Sequence, residues 1–550
     1  MITRRSFVKT IGALGATSGF LPLLSAKNAP DLPPGNDYKA LVCIFLQGGN
    51  DSFNMLIPSD LSLYNEYADA RKGGNNGDDN ISVSKNVLDL PDLTNSKLSY
   101  TSNPYAANDK ESSGLKGVYD VGLDLSVNGI MPELAHLLRN DKVKILSNAG
   151  NLIEPLRKSD LGNSNKKKPV FLFSHNDQRR QVDIGRSDLI RGYGWAGRLA
   201  DKWFDSDKYE EFPFGMNFSL RANGSRFLEG TKTRPYDLKN SARGFDYMLP
   251  NNIDSYGTGY DESYNRRSMF SFLYGGSPMN VEQFNYSKNH WNAPVSPLDL
   301  KSRNPVHAKN FLKRFYQKVG LNSLRTNDTF IEAMKEDLGF ESTGAYGEEL
   351  FSAPSEDFIG FDTSGRFGDF TKNLGAITKM INVAKKKGYR RQIYLVQLHG
   401  FDTHASQLNA HPPLLRELSI GLHHFNTAMQ ELGLSDNVVA YTTSDFGRTV
   451  SNNGDGTDHG WGAHQLIMGG GINKSEILGK LPSLALGGDS DHGSQGRIIP
   501  TIANIQIQAE IARWFGAEDE FLHELFPHLS NFQTNPDFIT SSFLNLGLGA

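Results

Sequence analysis

A single cysteine, Cys43, stands in a chain of 550 residues. That excludes an intramolecular disulfide, a cysteine-based zinc site, a thiolate iron–sulfur cluster and a CxxCH haem attachment. Cys43 lies in the apolar run Leu41-Val42-Cys43-Ile44-Phe45-Leu46 and reads as a small buried hydrophobe. Neither charge dominates: 57 Lys and Arg face 61 Asp and Glu, a net −4. Nucleic-acid binding, which calls for a basic excess or stripe, is not expected. No run after the first 26 residues approaches the ~18 apolar residues of a membrane span, so none is expected in the mature chain. There is no Gly-x-Ser-x-Gly elbow. Gly48-Gly49 and Gly469-Gly470-Gly471 do not make dinucleotide or P-loop fingerprints.

Glycine is abundant, at 55 residues, which points to tight turns and long loops. The 38% hydrophobic and 11% aromatic content supplies a sizeable core. The N-terminus carries an address. Thr3-Arg4-Arg5-Ser6-Phe7-Val8-Lys9 fits the twin-arginine pattern, an apolar stretch runs from Ile11 to Leu24, and Leu24-Ser25-Ala26 offers a cleavage site. Residues 1–26 are read as a signal peptide, with an uncleaved anchor as the alternative. The expected location is periplasmic or extracellular, and the expected export partner is the twin-arginine translocase. That route carries folded proteins, which suits a metal or cofactor inserted before export.

Residues 27–38 are read as a Pro-rich linker and 39–550 as one domain, with loop-rich insertions near 70–125 and 205–300. Apolar runs at Ala40–Leu46, Val143–Leu146, Val170–Phe173, Ile393–Leu398, Val438–Thr443 and Gln465–Met468 predict strands, several of them buried on both faces. Helical spacing predicts helices over Met131–Arg139, Trp195–Phe204, about 304–337, Phe370–Ala384, Leu415–Leu432 and about 501–515. Strand–helix alternation predicts an α/β fold with a mostly parallel sheet.

Polar clusters follow these strands directly: Asp51, Ser174-His175, Asp402 with His404, and Asp445. Open α/β sheets bind ligands at the carboxyl ends of their strands, so distant segments would meet at one edge. His459 and His464 in Thr457-Asp458-His459-Gly460-Trp461-Gly462-Ala463-His464 join them. Eight of the 14 histidines fall between His399 and His492. Imidazole and carboxylate together suit zinc, iron, manganese or nickel, in one site or in two sites ~3.5–4 Å apart. The candidate metal ligands are Asp51, Asp402, His404, Asp445, His459 and His464. Arg448 either clamps an anion or makes a structural salt bridge. Arg179 and Arg180 carry the same two readings. Ser174 is a candidate nucleophile, with Ser52 as its rival.

In chain order, the twin-arginine leader, Leu46-Gln47-Gly48-Gly49-Asn50-Asp51-Ser52, Ser174-His175-Asn176-Asp177-Gln178, Gly194-Trp195-Ala196-Gly197-Arg198, Gly400-Phe401-Asp402-Thr403-His404, Thr443-Ser444-Asp445-Phe446-Gly447-Arg448-Thr449 and Thr457-Asp458-His459-Gly460-Trp461-Gly462 form a set. Together they resemble the bacterial family catalogued as domain of unknown function 1501, grouped with the alkaline phosphatase and sulfatase superfamily. The resemblance implies an alkaline phosphatase-like three-layer sandwich around a mostly parallel central sheet, and a metal-assisted hydrolase ancestry. It implies Asp51, Asp402, His404, Asp445 and His459 or His464 as ligands of a divalent metal (zinc, manganese, iron or calcium). Ser174 falls at the nucleophile's place in chain order. Two departures stand out. Phe446 occupies the position after Asp445 where the superfamily commonly has histidine, and Asp402-x-His404 replaces an Asp-x3-His spacing. The expected function is hydrolysis of a phosphate or sulfate ester, on a small molecule or a polysaccharide. The rival is a non-catalytic exported protein that binds a polysaccharide or an envelope partner.

Overall fold

The computed structural model describes residues 37–72, 80–90, 117–206, 216–220, 226–233, 235–237, 333–334, 336–352, 354, 368–532 and 546–549. The signal-peptide reading of 1–26, most of the linker, most of the two insertions and nearly all of the helix at 304–337 lie outside them.

The chain order is β1 (Lys39–Gln47), β2 (Leu56–Pro58), α1 (Leu61–Arg71), β3 (Val118–Tyr119), β4 (Leu125–Asn128), α2 (Pro132–Arg139), β5 (Val143–Gly150), α3 (His175–Ile184), α4 (Trp195–Ser206), β6 (Asn217–Leu220) and β7 (Tyr236–Asp237). There follow α5 (Asp369–Lys386), β8 (Arg391–His399), α6 (Gln407–Glu431), β9 (Val438–Ser444), β10 (Ala463–Gly469), β11 (Ile477–Leu478), β12 (Ile502–Ala503), α7 (Asn504–Phe515) and α8 (Asp519–Leu525).

The main sheet runs β11-β5-β10-β9-β1-β8-β6-β7, with β12 also on β5. Its pairings are parallel except those of β10, which runs antiparallel between β9 and β5. The fold is thus α/β with a mixed, mostly parallel central sheet. The continuous apolar runs of β1, β8 and β9 are buried along nearly their whole length. That is what a central parallel strand covered on both faces requires.

Helix α5 buries Phe370, Leu374, Ile377, Ile381 and Ala384 at helical spacing and ends in Lys385 and Lys386, favourable against the negative end of its dipole. Gly516, at φ 115°, closes α7 in the left-handed conformation that glycine tolerates best. Helix α6 starts earlier than the apolar spacing indicates and runs through Pro412 and Pro413. Its first turn is anchored by the Gln407 N–H donating to the Asp455 carbonyl and by the buried Gln407 side chain.

At the end of the stretch near 70–125, β3 and β4 join β2 in a separate three-stranded antiparallel sheet. One expectation needs correction. Val170–Phe173 is not a strand but a turn, with Phe171 at φ 51° and Phe173 at φ 68°. Non-glycine residues rarely adopt this left-handed region.

Candidate functional site

The sheet's register brings the candidate residues together. Gln47 pairs with His399 and Leu46 with Ser444, so β1, β8 and β9 end at one level. The loops after them carry Gly48, Asp402 with His404, and Asp445. Because β10 runs antiparallel, the loop before it delivers His459 to the same edge. The turn at 171–174 brings in His175, the first residue of α3.

Gly48 makes this approach possible. Its φ is 116°, and a Cβ there would fall 2.3 Å from the Asp402 amide nitrogen. The Gly48 N–H donates to Asp445 Oδ2 at 2.7 Å, tying the β1 and β9 loops together.

At the centre stands Asp402. Its Oδ1 accepts from Arg448 NH1 at 2.7 Å and lies 3.3 Å from His175 Nε2, 3.2 Å from His404 Nε2 and 3.6 Å from His459 Nε2. His404 Nε2 and His459 Nε2 are 2.8 Å apart. One ligand atom each from His175, Asp402 and His459 falls within 4.8 Å of the others. The Asp402 side chain is 48% exposed, so the cluster opens to solvent.

The outer nitrogens decide the tautomers. His404 Nδ1 is 3.0 Å from Asp458 Oδ1, His459 Nδ1 is 2.7 Å from the Phe173 carbonyl, and His175 Nδ1 is 3.4 Å from Asp445 Oδ2. Each of these partners only accepts, so each ring donates its Nδ1–H outward and, when neutral, turns an Nε2 lone pair inward. His175 Nε2 is buried without a hydrogen-bond partner. Inward-facing imidazole lone pairs around a carboxylate oxygen repel one another unless a cation or proton lies among them. Carboxylate or carbonyl partners behind the rings are what orients metal-ligating histidines.

The charges are strongly coupled. Burial draws the His175 pKa down, but the Asp445 and Asp402 carboxylates overcome this and hold it above the ordinary imidazole value. Burial, with the Arg448 guanidinium and the neighbouring histidines, lowers that of His459 against the opposing hydrogen bond to the Phe173 carbonyl. Burial would raise Asp402, yet Arg448 and the two nearby histidines hold it below the usual carboxylate range.

Of the other predicted residues, Asp51, His464 and Ser174 are held by partners outside the cluster, whereas Arg448 touches Asp402. Asp51 is fully buried and clasped by Arg71, whose NH1 and NH2 donate at 2.5 and 2.8 Å. His464 is buried in β10, where its Nδ1 accepts from the Asn148 N–H at 3.2 Å, and burial lowers its pKa to about 4. Ser174 precedes α3, and its hydroxyl donates to Asp177 Oδ2 at 2.8 Å. Buried Arg448 directs its donors to Asp402, the Gly48 carbonyl, and the hydroxyl and carbonyl of Thr457. Its guanidinium is thus paired with Asp402 and with acceptors of Gly48 and Thr457. The aromatic ring of Phe446 packs against His175 and His459 at 4.5 and 4.8 Å between centroids.

His175 and Asp458 were not among the predicted ligands or their supports. Their signals were adjacency: His175 follows Ser174, and Asp458 precedes His459.

The arrangement defines an α/β protein with a cluster of three histidines and an aspartate at the carboxyl edge of its sheet. Residues 377–503 match the family model described as "Protein of unknown function (DUF1501)", the family that the motifs resemble. The matched stretch carries Asp402, His404, Asp445, Arg448, Asp458 and His459, while His175 and Asp51 lie before it. No curated protein matches the chain.

Proposed function

We propose that this cluster is a divalent-metal centre and that the protein is an exported hydrolase of phosphate or sulfate esters. The observation that carries the reading is the inward convergence of the His175, His404 and His459 Nε2 atoms on Asp402 Oδ1. The orphaned His175 Nε2 fits the same account. One carboxylate and three imidazoles suit zinc, iron or manganese; calcium, which takes oxygen ligands, is a poor fit. An ion held there would supply Lewis-acid chemistry, polarising the ester oxygen and lowering the pKa of water. The motif likeness to the alkaline phosphatase and sulfatase superfamily, and a site at the carboxyl edge of a mostly parallel sheet, support the ester substrate and a sandwich of that kind. The twin-arginine leader supports export.

The chain's own groups divide the remaining work. Asp445, Asp458 and the Phe173 carbonyl fix the three rings, and Arg448 fixes Asp402. With Arg448 committed, the substrate's negative charge falls to another group. Arg179 lies one turn after His175 on α3, on the same side of the helix. It is half-buried with its guanidinium 5.6 Å above the Phe45 ring, and it makes no hydrogen bond or ion pair among the described residues. Its acidic neighbour Asp183 is buried, which raises that carboxyl to about 7, so Arg179 keeps much of its charge uncompensated at neutral pH. Arg179→Met is expected to raise KM for an anionic ester about tenfold, with metal content unchanged, because charge-assisted hydrogen bonds are lost. An unchanged KM would remove Arg179 from substrate binding.

Water, rather than Ser174, is assigned as the nucleophile, since the Ser174 hydroxyl is turned to Asp177. Ser174→Ala therefore leaves kcat within about threefold of wild type, whereas loss of a true nucleophile costs on the order of 10⁴-fold or more. A collapse of kcat would restore Ser174 to that role. The whole reading is tested by a screen of phosphate and sulfate esters with chelation and metal re-addition. Turnover that stops on chelation and returns with metal supports it. Tight binding of a polysaccharide without turnover under any metal would favour the non-catalytic alternative.

A further inference from the structure

Asp51 stands where the motifs imply a metal aspartate, yet its surroundings give it another task. Both side chains of the Asp51–Arg71 pair are wholly buried. A carboxylate can only accept, so Asp51 forces the Gln407 amide to face it with its nitrogen, and Gln407 Nε2 donates to Asp51 Oδ2 at 2.5 Å. That choice turns Gln407 Oε1 toward Thr457, whose hydroxyl donates to it at 2.7 Å. Thr403 donates to the same oxygen at 3.1 Å. With its proton committed, the Thr457 oxygen accepts from Arg448 Nε at 3.3 Å. Arg448 NH1 in turn donates to Asp402 Oδ1 at 2.7 Å. The charge on Asp51 sets which way the Gln407 amide faces, and the donor-only guanidinium of Arg448 at the other end sets the Thr457 oxygen as its acceptor, so the two ends agree on one arrangement.

We infer that Asp51 is not a metal ligand but the anchor of a positioning chain, buried from Arg71 through Asp51, Gln407 and Thr457 to Arg448, that aims the half-exposed carboxylate of Asp402. Arg71 supplies the positive charge that an aspartate at this position would otherwise take from a second ion. The centre accordingly holds one ion per chain. This inference rests on the metal reading above and adds to it the number of ions and the positioning role of residues remote from them.

The test is metal stoichiometry and affinity, measured by elemental mass spectrometry and by competition with a chelator, with zinc as the probe. Wild type is expected to bind one equivalent, and Asp51→Asn still one. Thr457→Val keeps the side chain's shape, leaves the Thr457 carbonyl to Arg448 and cuts the chain at one hydroxyl. It is expected to retain one equivalent with about tenfold weaker affinity, the loss typical of groups that orient ligands. Thr457→Ser, which restores the hydroxyl, returns the affinity to that of wild type. Two equivalents in wild type, one of them lost in Asp51→Asn, would make Asp51 a ligand and overturn the inference while leaving the metal centre standing. Unchanged affinity in Thr457→Val would overturn the positioning chain in the same way. A wild type that binds no zinc overturns the proposed function, and this inference with it. Thermal melts of each variant identify any loss that comes from unfolding alone, and Thr457→Val is the variant read should Asp51→Asn fail to fold.

Discussion

Replacing Asp402 with asparagine is expected to strip the protein of its metal and its turnover together. Asp402 Oδ1 is the one atom that Arg448, His175, His404 and His459 all approach. Removing its charge leaves three imidazole lone pairs facing one another beside the Arg448 guanidinium, an electrostatic field hostile to a cation. Groups that merely orient ligands already cost up to about 100-fold in metal affinity, so loss of this carboxylate is expected to cost on the order of 100-fold or more. Asparagine keeps an oxygen for Arg448 to donate to, but the buried guanidinium loses its ion-pair partner, so a folded variant with a lowered melting temperature is expected. Metal content after desalting, together with a thermal melt, checks both statements. Unchanged metal content would remove Asp402 from the centre.

Arg71→Met is expected to be the most destabilising single change near the site. It leaves Asp51 buried and unpaired, which costs about 3–5 kcal/mol. The double variant Asp51→Asn with Arg71→Met removes both charges and should recover most of that loss. Urea denaturation of wild type, Arg71→Met and the double variant measures the coupling. The pH dependence follows from the sign of the shift. Burial raises the Asp51 pKa, but Arg71 more than offsets this and holds it below the ordinary carboxylate range. The pair's contribution is therefore complete above that ordinary range and is lost as pH falls through the lower folded value. In Arg71→Met the lone carboxyl protonates more easily, so the penalty relative to wild type shrinks in acid. A penalty that is the same at pH 4 and pH 8 would contradict this account.

Much of the site was legible because strands buried on both faces end abruptly in polar residues. Asp402, His404 and Asp445 each follow such a run, and parallel register places the ends of such strands at one edge. His459 was legible from its company of glycines and a tryptophan in a loop. His175 was not, because the apolar run Val170–Phe173 has strand composition. On a strand, His175 would face away from its neighbours' work; two left-handed phenylalanines instead turn the chain so that it starts α3. Nor could composition separate a ligand carboxylate from one closed off by a partner. Arg71, at the end of α1, is 20 residues from Asp51 and carries no motif, yet it decides what Asp51 does. His464 shows the same limit: five residues from His459, its side chain lies edge-on to Phe53 in the core. Of the fold, the α/β class and mostly parallel sheet were legible from strand–helix alternation. The antiparallel insertion of β10 was not, since strand direction leaves no mark on the composition of a seven-residue strand.

The most direct test of the central claim is the metal content of the protein purified without chelator or added metal, measured by mass spectrometry. The account predicts about one equivalent of zinc, iron or manganese per chain, removed by chelation and restored by the metal alone. A well-folded protein that emerges metal-free and refuses added zinc, iron and manganese would contradict it.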